Sequence, residues 1–341
     1  STTDYSLPTP DSLYFFKAGT ISVSGDQHKL TALNVHLQPR GNREQFLKKL
    51  SSQKERYDLT IPKLTLDKVD WYDLVNWEKL FAKEANIYNA KLDIYFDRSL
   101  PARPNFDMQN FPSQVIMKIP LPLLVDKINL HHFDLVYGEF NPLVSQAGTI
   151  YFDDINSSLT NVTNMPDQVN RNKFITVKAT AMFMHKVPAT VTIQFDISKY
   201  KTGNFTADVN MKNLDTATIN PIAAPLGPFT LKNGFMTDGT AHVKGDNYNS
   251  TTSGIFLYND LKLTPLKKDT DKPGGLKKKT VTGFIANTFL IKNNNPSKGE
   301  AARVAEVSHK RKAQTSFFSF VWKSILTAIL KTIGLPLKLA D

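Results

Sequence analysis

The chain has 341 residues, a formal net charge of +11 and no cysteine. Its length allows one extended domain or two compact ones, and the lack of cysteine excludes disulfides, thiolate metal sites and cysteine nucleophiles. The excess positive charge lies entirely in residues 262–341, which hold 16 lysines and arginines against five acidic residues.

The first 120 residues predict short helices inserted between strands. In the strand segments apolar residues alternate with polar ones, whereas in the helix segments they recur every three or four positions. The predicted elements are a hairpin of 12–23 and 30–37, a helix in 43–51, a strand in 59–69, a short helix capped by Asp70 or Asp73 and running through Leu74, Leu80 and Phe81, and a strand in 87–96. The opening residues lack a basic or an apolar run, so we expect no signal peptide or membrane anchor there.

Beyond Pro120 the pattern is almost entirely that of strands. The predicted strands cover 127–137, 148–159, 173–184, 187–198, 203–212, 229–244 and 254–263. Turns of hairpin size separate most of them, which favours antiparallel pairing. Residues 215–228 contain three prolines and are predicted to form an irregular segment or a broken helix.

Residues 187–198 show the alternation most clearly. Their six apolar residues from Val187 to Ile197 share one side of the predicted strand, and apart from Pro188 the other side is polar. Because neighbouring segments repeat this pattern, the sequence predicts an elongated antiparallel sheet that curls into a groove with an apolar inner face. The residues predicted to line this groove are Val191, Ile193, Phe195, Ile197, Phe205, Val209, Leu231, Phe235, Val243, Ile255, Leu257 and Leu261.

The C-terminal section changes character. The sequence predicts a lysine-rich loop around 273–275, a last strand in 280–292, a charged helix in 300–313 and an amphipathic helix in 316–333 that stops at Gly334 and Pro336. Its polar stripe holds Ser316, Ser319, Lys323, Thr327 and Lys331, and its apolar face includes Phe318, Val321, Trp322, Ile325 and Ile329. Two interpretations stay open: the helix lies on an anionic membrane, or it packs as a cap over the end of the groove.

Motifs of catalysis and of metal binding are missing from the sequence. There is no H-E-x-x-H, P-loop, dinucleotide glycine fingerprint or G-x-S-x-G. The adjacent pairs His131-His132 and Asp153-Asp154 lie in predicted strands, where neighbouring side chains point to opposite faces. We therefore expect no enzyme activity, no metal and no cofactor. Nucleic acid is not an expected partner, because no binding motif accompanies the basic charge.

Several runs resemble a known family. Residues 130–140 (L-H-H-F-D-L-V-Y-G-E-F), 148–164 (G-T-I-Y-F-D-D-I-N-S-S-L-T-N-V-T-N), 203–222 and 231–245 are similar to the AsmA-like envelope proteins of Bacteroidetes. The resemblance implies a taco-shaped β-groove, related to bridge-like lipid transfer proteins, that carries glycerophospholipids in the periplasm. It brings no catalytic residues. Full-length relatives begin with an inner-membrane anchor, which this sequence does not display.

The sequence therefore predicts a mostly β fold with short helices and a C-terminal amphipathic helix. Its predicted parts are an N-terminal groove segment in 1–120, an antiparallel groove in 121–299, and a basic linker with the amphipathic helix in 300–341. The predicted function is lipid binding or transfer by a membrane-associated periplasmic protein of a Gram-negative bacterium. Its predicted partners are a phospholipid or other acyl lipid and a membrane surface or envelope protein complex. The alternatives are a scaffold subunit of an envelope or outer-membrane complex, and an enzyme built on a β-sandwich.

Overall fold

A computed structural model describes residues 2–103, 107–142, 144–226, 229–268, 276–278, 291–313, 315–335 and 337. They are mostly β, as predicted, and form a 15-stranded sheet with several short helices. The strands are β1 (Thr2–Pro8), β2 (Tyr14–Ser24), β3 (Lys29–Pro39), β4 (Arg56–Asp67), β5 (Leu80–Tyr88), β6 (Lys91–Asp97), β7 (Leu123–Asn141), β8 (Gln146–Thr163), β9 (Phe174–Phe183), β10 (Val187–Asp196), β11 (Phe205–Asp215), β12 (Phe229–Gly245), β13 (Asn249–Lys268), β14 (Leu276–Lys278) and β15 (Val304–Lys310). The helices are α1 (Arg43–Leu47), α2 (Trp71–Trp77), α3 (Pro112–Met117), α4 (Pro166–Arg171), α5 (Asn220–Leu226) and α6 (Phe317–Ile333), with 3₁₀ helices η1 (Ile197–Thr202) and η2 (Thr216–Ile219).

The strands follow one another across the sheet in nearly sequential order. Most neighbours are antiparallel, because short turns connect them. The predicted strand 87–96 is instead two strands, β5 and β6, which break at Asn89, a residue with a positive φ of 54°. Both pair with β4 on one side and run parallel to β7 on the other. The sheet is therefore mixed, and it continues unbroken from β1 to β14.

Local capping explains where the N-terminal helices begin. Asn42 and Gln45 form a reciprocal capping box at α1, and the Asp70 side chain accepts a hydrogen bond from the Asp73 backbone at the start of α2. The α2 helix ends when Glu78 takes the left-handed conformation. Leu80 and Phe81, which were predicted as part of this helix, therefore belong to β5.

Two predictions for the C-terminal section differ in outcome. The charged helix predicted in 300–313 is wrong, because this segment contains β15, which pairs with β13 and alternates buried Ala305 and His309 with exposed residues. The helix predicted in 316–333 is confirmed as α6, with Ser316 as its N-cap and Gly334 as its C-cap. The lysine-rich loop at 273–275, most of the strand predicted in 280–292 and Pro336 lie outside the described residues.

The sheet curls around α6. On one side, the ring of Phe318 packs against Tyr137 of β7 and Phe152 of β8. On the other side, α6 forms hydrogen bonds with Ser250 of β13 and His309 of β15. One face of the sheet, called the inner face below, therefore meets the helix from both directions. Among the described residues, no helix has the length and apolarity needed to cross a membrane.

Candidate binding groove

A row of apolar residues crosses the inner face from β1 to β10. Each strand on the path contributes one residue, and each residue lies directly opposite the next in the strand register. The row consists of Leu7, Phe16, Leu37, Leu59, Leu92, Leu135, Phe152, Phe183 and Val187. We call it the apolar row.

The apolar row passes from solvent into the core. Leu7 is 49% exposed and Phe16 is 39% exposed, whereas Phe183 and Val187 are buried. The residues between them are partly buried. Near its inner end, Phe318 of α6 contacts Phe152. A large apolar surface that stays accessible inside a curled sheet is typical of a ligand-binding or interaction surface.

The outer face next to the apolar row is polar. The residues next in sequence to five members of the row also lie opposite one another in the strand register. They are Lys17 of β2, His36 of β3, Thr60 of β4, Lys91 of β6 and Asp134 of β7. His36 also contacts Asp58, with 2.8 Å between Nε2 and Oδ1. The alternation predicted from the sequence thus separates an apolar inner face from a polar outer face in this part of the sheet.

Of the twelve residues predicted to line the groove, nine lie on the inner side of the sheet. These are Val191, Ile193, Phe195, Ile197, Phe205, Val209, Leu231, Val243 and Leu261. Ile197 lies just beyond β10, at the start of η1. The inward placement predicted for the other three, Phe235, Ile255 and Leu257, is wrong. Phe235 is 43% exposed, and Ile255 and Leu257 lie opposite the outer residues Thr240 and Asp238.

Bulges explain the three misplaced residues. The register of β12 against β13 shifts around Asn233 and again after Met236, and Asp260 of β13 has a positive φ of 54°. Each extra residue exchanges the two faces of a strand. Met236, Phe256 and Tyr258 therefore point inward. The glycines at 234 and 239 and the Asn259-Asp260 pair inside these strands are the sequence signal for such bulges.

The side of α6 that packs against the sheet includes polar residues, whereas an amphipathic helix usually buries its apolar face. Ser319 and Thr327 of its predicted polar stripe are buried, and so is Ser324, which was not assigned to that stripe. The hydroxyls of Ser324 and Ser250 are 2.7 Å apart, and the Thr327 hydroxyl is 3.2 Å from Nδ1 of His309. The apolar residues Val321, Trp322, Ile325 and Ile329 are only half-buried. The helix thus places hydroxyl side chains, together with the buried Phe320, against β13 and β15, and leaves these four apolar residues partly exposed.

A cavity of about 120 Å³ lies between α6, α5 with η2, and the inner face of β12 and β13. Its apolar lining includes Leu231, Met236, Phe256, Trp322, Leu326 and Ile329. Several of these residues were not among the predicted groove residues, because bulges and helix packing bring them together.

One end of the cavity is charged. Glu139 of β7 is 2% exposed, and Arg98 Nη1 and Lys323 Nζ lie 3.2 Å and 3.7 Å from its Oε1. The Tyr137 hydroxyl donates to the other carboxylate oxygen at 3.0 Å. Arg98, Glu139 and Lys323 all line the cavity. Sequence reasoning missed this cluster, since its members are far apart in the chain.

Buried polar residues also fix the start of α6. Burial raises the pKa of Glu55, whose carboxylate accepts a hydrogen bond from the Tyr57 hydroxyl. Burial lowers the pKa of Arg311 to about 10, although its guanidinium donates to the Met108 and Thr315 carbonyls at 2.8 and 2.9 Å. It also stacks over the Phe111 ring at 4.4 Å. These contacts join α6 to the segment before α3.

The adjacent pairs noted in the sequence have separate partners. Asp154 Oδ1 lies 2.6 Å from His132 Nδ1, and Asp153 Oδ2 lies 2.7 Å from His185 Nδ1. His131 stacks on Tyr88. Within the described part of the chain, no three histidine or acidic residues are grouped in a way that could hold a metal ion.

Comparison with known proteins adds no assignment, since no family model and no curated protein matches this chain.

Proposed function

We propose that this protein binds the acyl chains of glycerophospholipid-class lipids along the inner face of its curled sheet and transfers them within the bacterial envelope. The observation that carries the proposal is the apolar row, which is exposed at Leu7 and Phe16 and continues into the core at Phe183. An unbroken path of this kind suits a long apolar ligand better than a compact polar one.

The energetics of the apolar row favour lipid without a specific contact. Each methylene moved from water onto an apolar surface is stabilised by about 0.8 kcal/mol, and successive positions along the row are chemically alike. The binding free energy of an acyl chain would therefore grow with its length. Its free energy would change little as it moves from one position along the row to the next. Polar residues on the outer face, such as Thr60 and Lys91, keep the opposite side of these strands hydrated.

Two further arguments support the location and the direction of lipid entry. The resemblance of residues 130–140, 148–164, 203–222 and 231–245 to AsmA-like proteins favours the periplasm. The open end of the apolar row lies at β1 to β4, whereas α6 fills the curl from β7 onward. We therefore expect lipid to enter at the N-terminal strands.

The test combines lipid analysis with one matched pair of variants. Leu59 and Thr60 are neighbours in β4 that face the groove and the outside respectively. Leu59→Asp places a charge in the apolar row, and Thr60→Asp places the same charge on the outer face. We expect mass spectrometry of an organic extract to find acyl lipid with the native protein and with Thr60→Asp, and much less with Leu59→Asp.

A second measurement covers transfer. The native protein and Thr60→Asp should move a fluorescent phospholipid between vesicles, and Leu59→Asp should not, provided that circular dichroism shows all three folded. If the native protein carries no lipid and transfers none, the proposal is wrong. Capture of a defined envelope protein by such lipid-free protein would then support the scaffold alternative.

A further inference from the structure

The charged end of the cavity consists of Arg98, Glu139 and Lys323, and a stable fold does not need charged residues at this place. Arg98 follows β6, Glu139 lies near the end of β7 and Lys323 lies on α6, so three separate elements bring their charges to one point. Replacing such a cluster with apolar residues is often neutral or stabilising for a fold. Its position therefore suggests a role in recognition.

The arrangement favours an anion over a cation or a neutral group. Arg98 and Lys323 both reach the same oxygen of Glu139, and together the three groups carry a formal charge of +1. All three side chains line the cavity, but Arg98 and Lys323 remain partly exposed, whereas Glu139 is almost fully buried. Most of the charged surface that a ligand in the cavity can reach therefore belongs to the two cations.

Other charged groups near the cluster do not reverse this preference. Glu55 is the second buried acid in this region, and burial raises its pKa, which favours its neutral form. Arg311 adds positive charge on the Glu55 side of the cluster.

The cavity limits the ligand to one chain at this point. Its volume of about 120 Å³ is smaller than the ~150 Å³ of an apolar cavity that binds benzene. It holds part of one acyl chain and excludes a second chain beside it.

We infer that Arg98 and Lys323 bind the carboxylate or phosphate of a single-chain anionic amphiphile, such as a fatty acid or a lysophospholipid, whose tail enters the adjoining cavity. This inference rests on the acyl-chain binding of the proposed function and adds a single-chain ligand class with a fixed headgroup position. Planar guanidinium and ammonium groups at one site suit both anions.

Competition against a fluorescent fatty acid tests the inference. Competitors are an unlabelled fatty acid, a monoacyl phosphate, the monoacylglycerol with the same chain, and inorganic phosphate. Lys323→Met and Arg98→Met each remove one cation, and Lys331→Met is the matched control on an exposed position of the same helix. Loss of a charge-assisted hydrogen bond should weaken binding of the two anionic lipids about tenfold and leave the monoacylglycerol unchanged.

Glu139→Gln separates recognition from structural support. It keeps both cations and removes the competing carboxylate, so it should tighten fatty acid binding, whereas a residue that only supports the fold would weaken it. Arg98 and Lys323 lie on different elements, so the inference is still tested if one of their variants does not fold.

The outcomes are distinct. If monoacylglycerol and fatty acid bind the native protein equally well, and the cation variants change neither, the headgroup inference is wrong and the proposed function stands. If no acyl ligand binds at all, both are wrong. If inorganic phosphate displaces the fatty acid at the same concentration as the monoacyl phosphate, the site binds free anions. The assignment to a lipid is then overturned.

Discussion

The hydroxyl of Ser324 on α6 lies 2.7 Å from the hydroxyl of Ser250 on β13, and both residues are buried. Ser324 also reaches the carbonyl of Phe320 on its own helix. This contact is possible because small side chains let the helix approach the sheet closely. It determines which face of α6 meets β13 and hence which face borders the cavity.

Enlarging the side chain at this contact should displace the helix. Ser324→Leu overpacks a buried site, which we expect to cost about 1–3 kcal/mol of unfolding free energy. Lys331→Leu adds the same side chain at an exposed position of α6 and should change stability by less than about 0.5 kcal/mol. Urea denaturation of the two variants measures the difference. Equal stabilities would contradict the close packing of α6 on β13.

Filling the cavity should block the ligand without unfolding the protein. Ala223 lines the cavity and its neighbour Ala224 does not, so Ala223→Phe and Ala224→Phe form a matched pair on α5. Ala223→Phe should reduce binding of a fluorescent fatty acid and change stability by about 1 kcal/mol or less, since it occupies existing space. Fluorescence titration and thermal melting give the two quantities. Unchanged binding by a folded Ala223→Phe would show that the cavity holds no part of the ligand.

Buried Glu55 should make stability depend on pH. Its pKa is raised above the ordinary value of 4.5, mainly by burial, so the folded state retains the proton that the unfolded state loses. Stability is therefore favoured below 4.5 and falls as the pH rises toward the raised pKa.

Glu55→Gln isolates this effect. The variant should lose the part of the pH dependence that comes from Glu55. Its stability relative to the native protein should therefore be greater at pH 8 than at pH 4. Glu44→Gln, at an exposed position of α1, should follow the native profile. Urea denaturation between pH 4 and pH 8 measures both. A constant stability difference between Glu55→Gln and the native protein would contradict the raised pKa.

The bulge at Gly234 should be intolerant of any side chain. Its φ is +136°, and a β-carbon there would lie 2.9 Å from Oγ1 of Thr216 and 3.0 Å from the α-carbon of Leu261. Gly234→Ala should therefore cost about 1–3 kcal/mol. Gly25→Ala is the control, since a β-carbon there meets nothing within 4 Å. A Gly234→Ala protein that denatures at the same urea concentration as Gly25→Ala would be evidence against this bulge.

The sequence predicted regular strands well and their irregularities poorly. Alternation in 187–196 gives both the strand and its buried face, because β10 pairs with β9 and β11 without a shift. In β12 and β13 the same alternation fails after each bulge, which is why it predicts Phe235 on the inner face although Met236 lies there instead. Periodicity identifies two faces, but an added residue exchanges them.

Helix α6 shows a second limit. Its two faces, its N-cap Ser316 and its C-cap Gly334 follow from the sequence. Which face packs against the sheet depends on the partner surface, and β13 and β15 present Ser250 and His309 at that point. Hydroxyl residues on the helix therefore become the packed side. The cluster of Arg98, Glu139 and Lys323 is a tertiary arrangement that no local pattern indicates.

The number of strands sets the length of the apolar row. It takes one residue from each of nine strands, and neighbouring strands lie ~4.8 Å apart, so the row extends on the order of 38 Å. Its length is therefore counted in strands and does not depend on how long any strand is. Adding or deleting one hairpin would change the reach by roughly 10 Å while leaving the remaining register intact. Evolution could adjust the span of such a protein in steps of two strands.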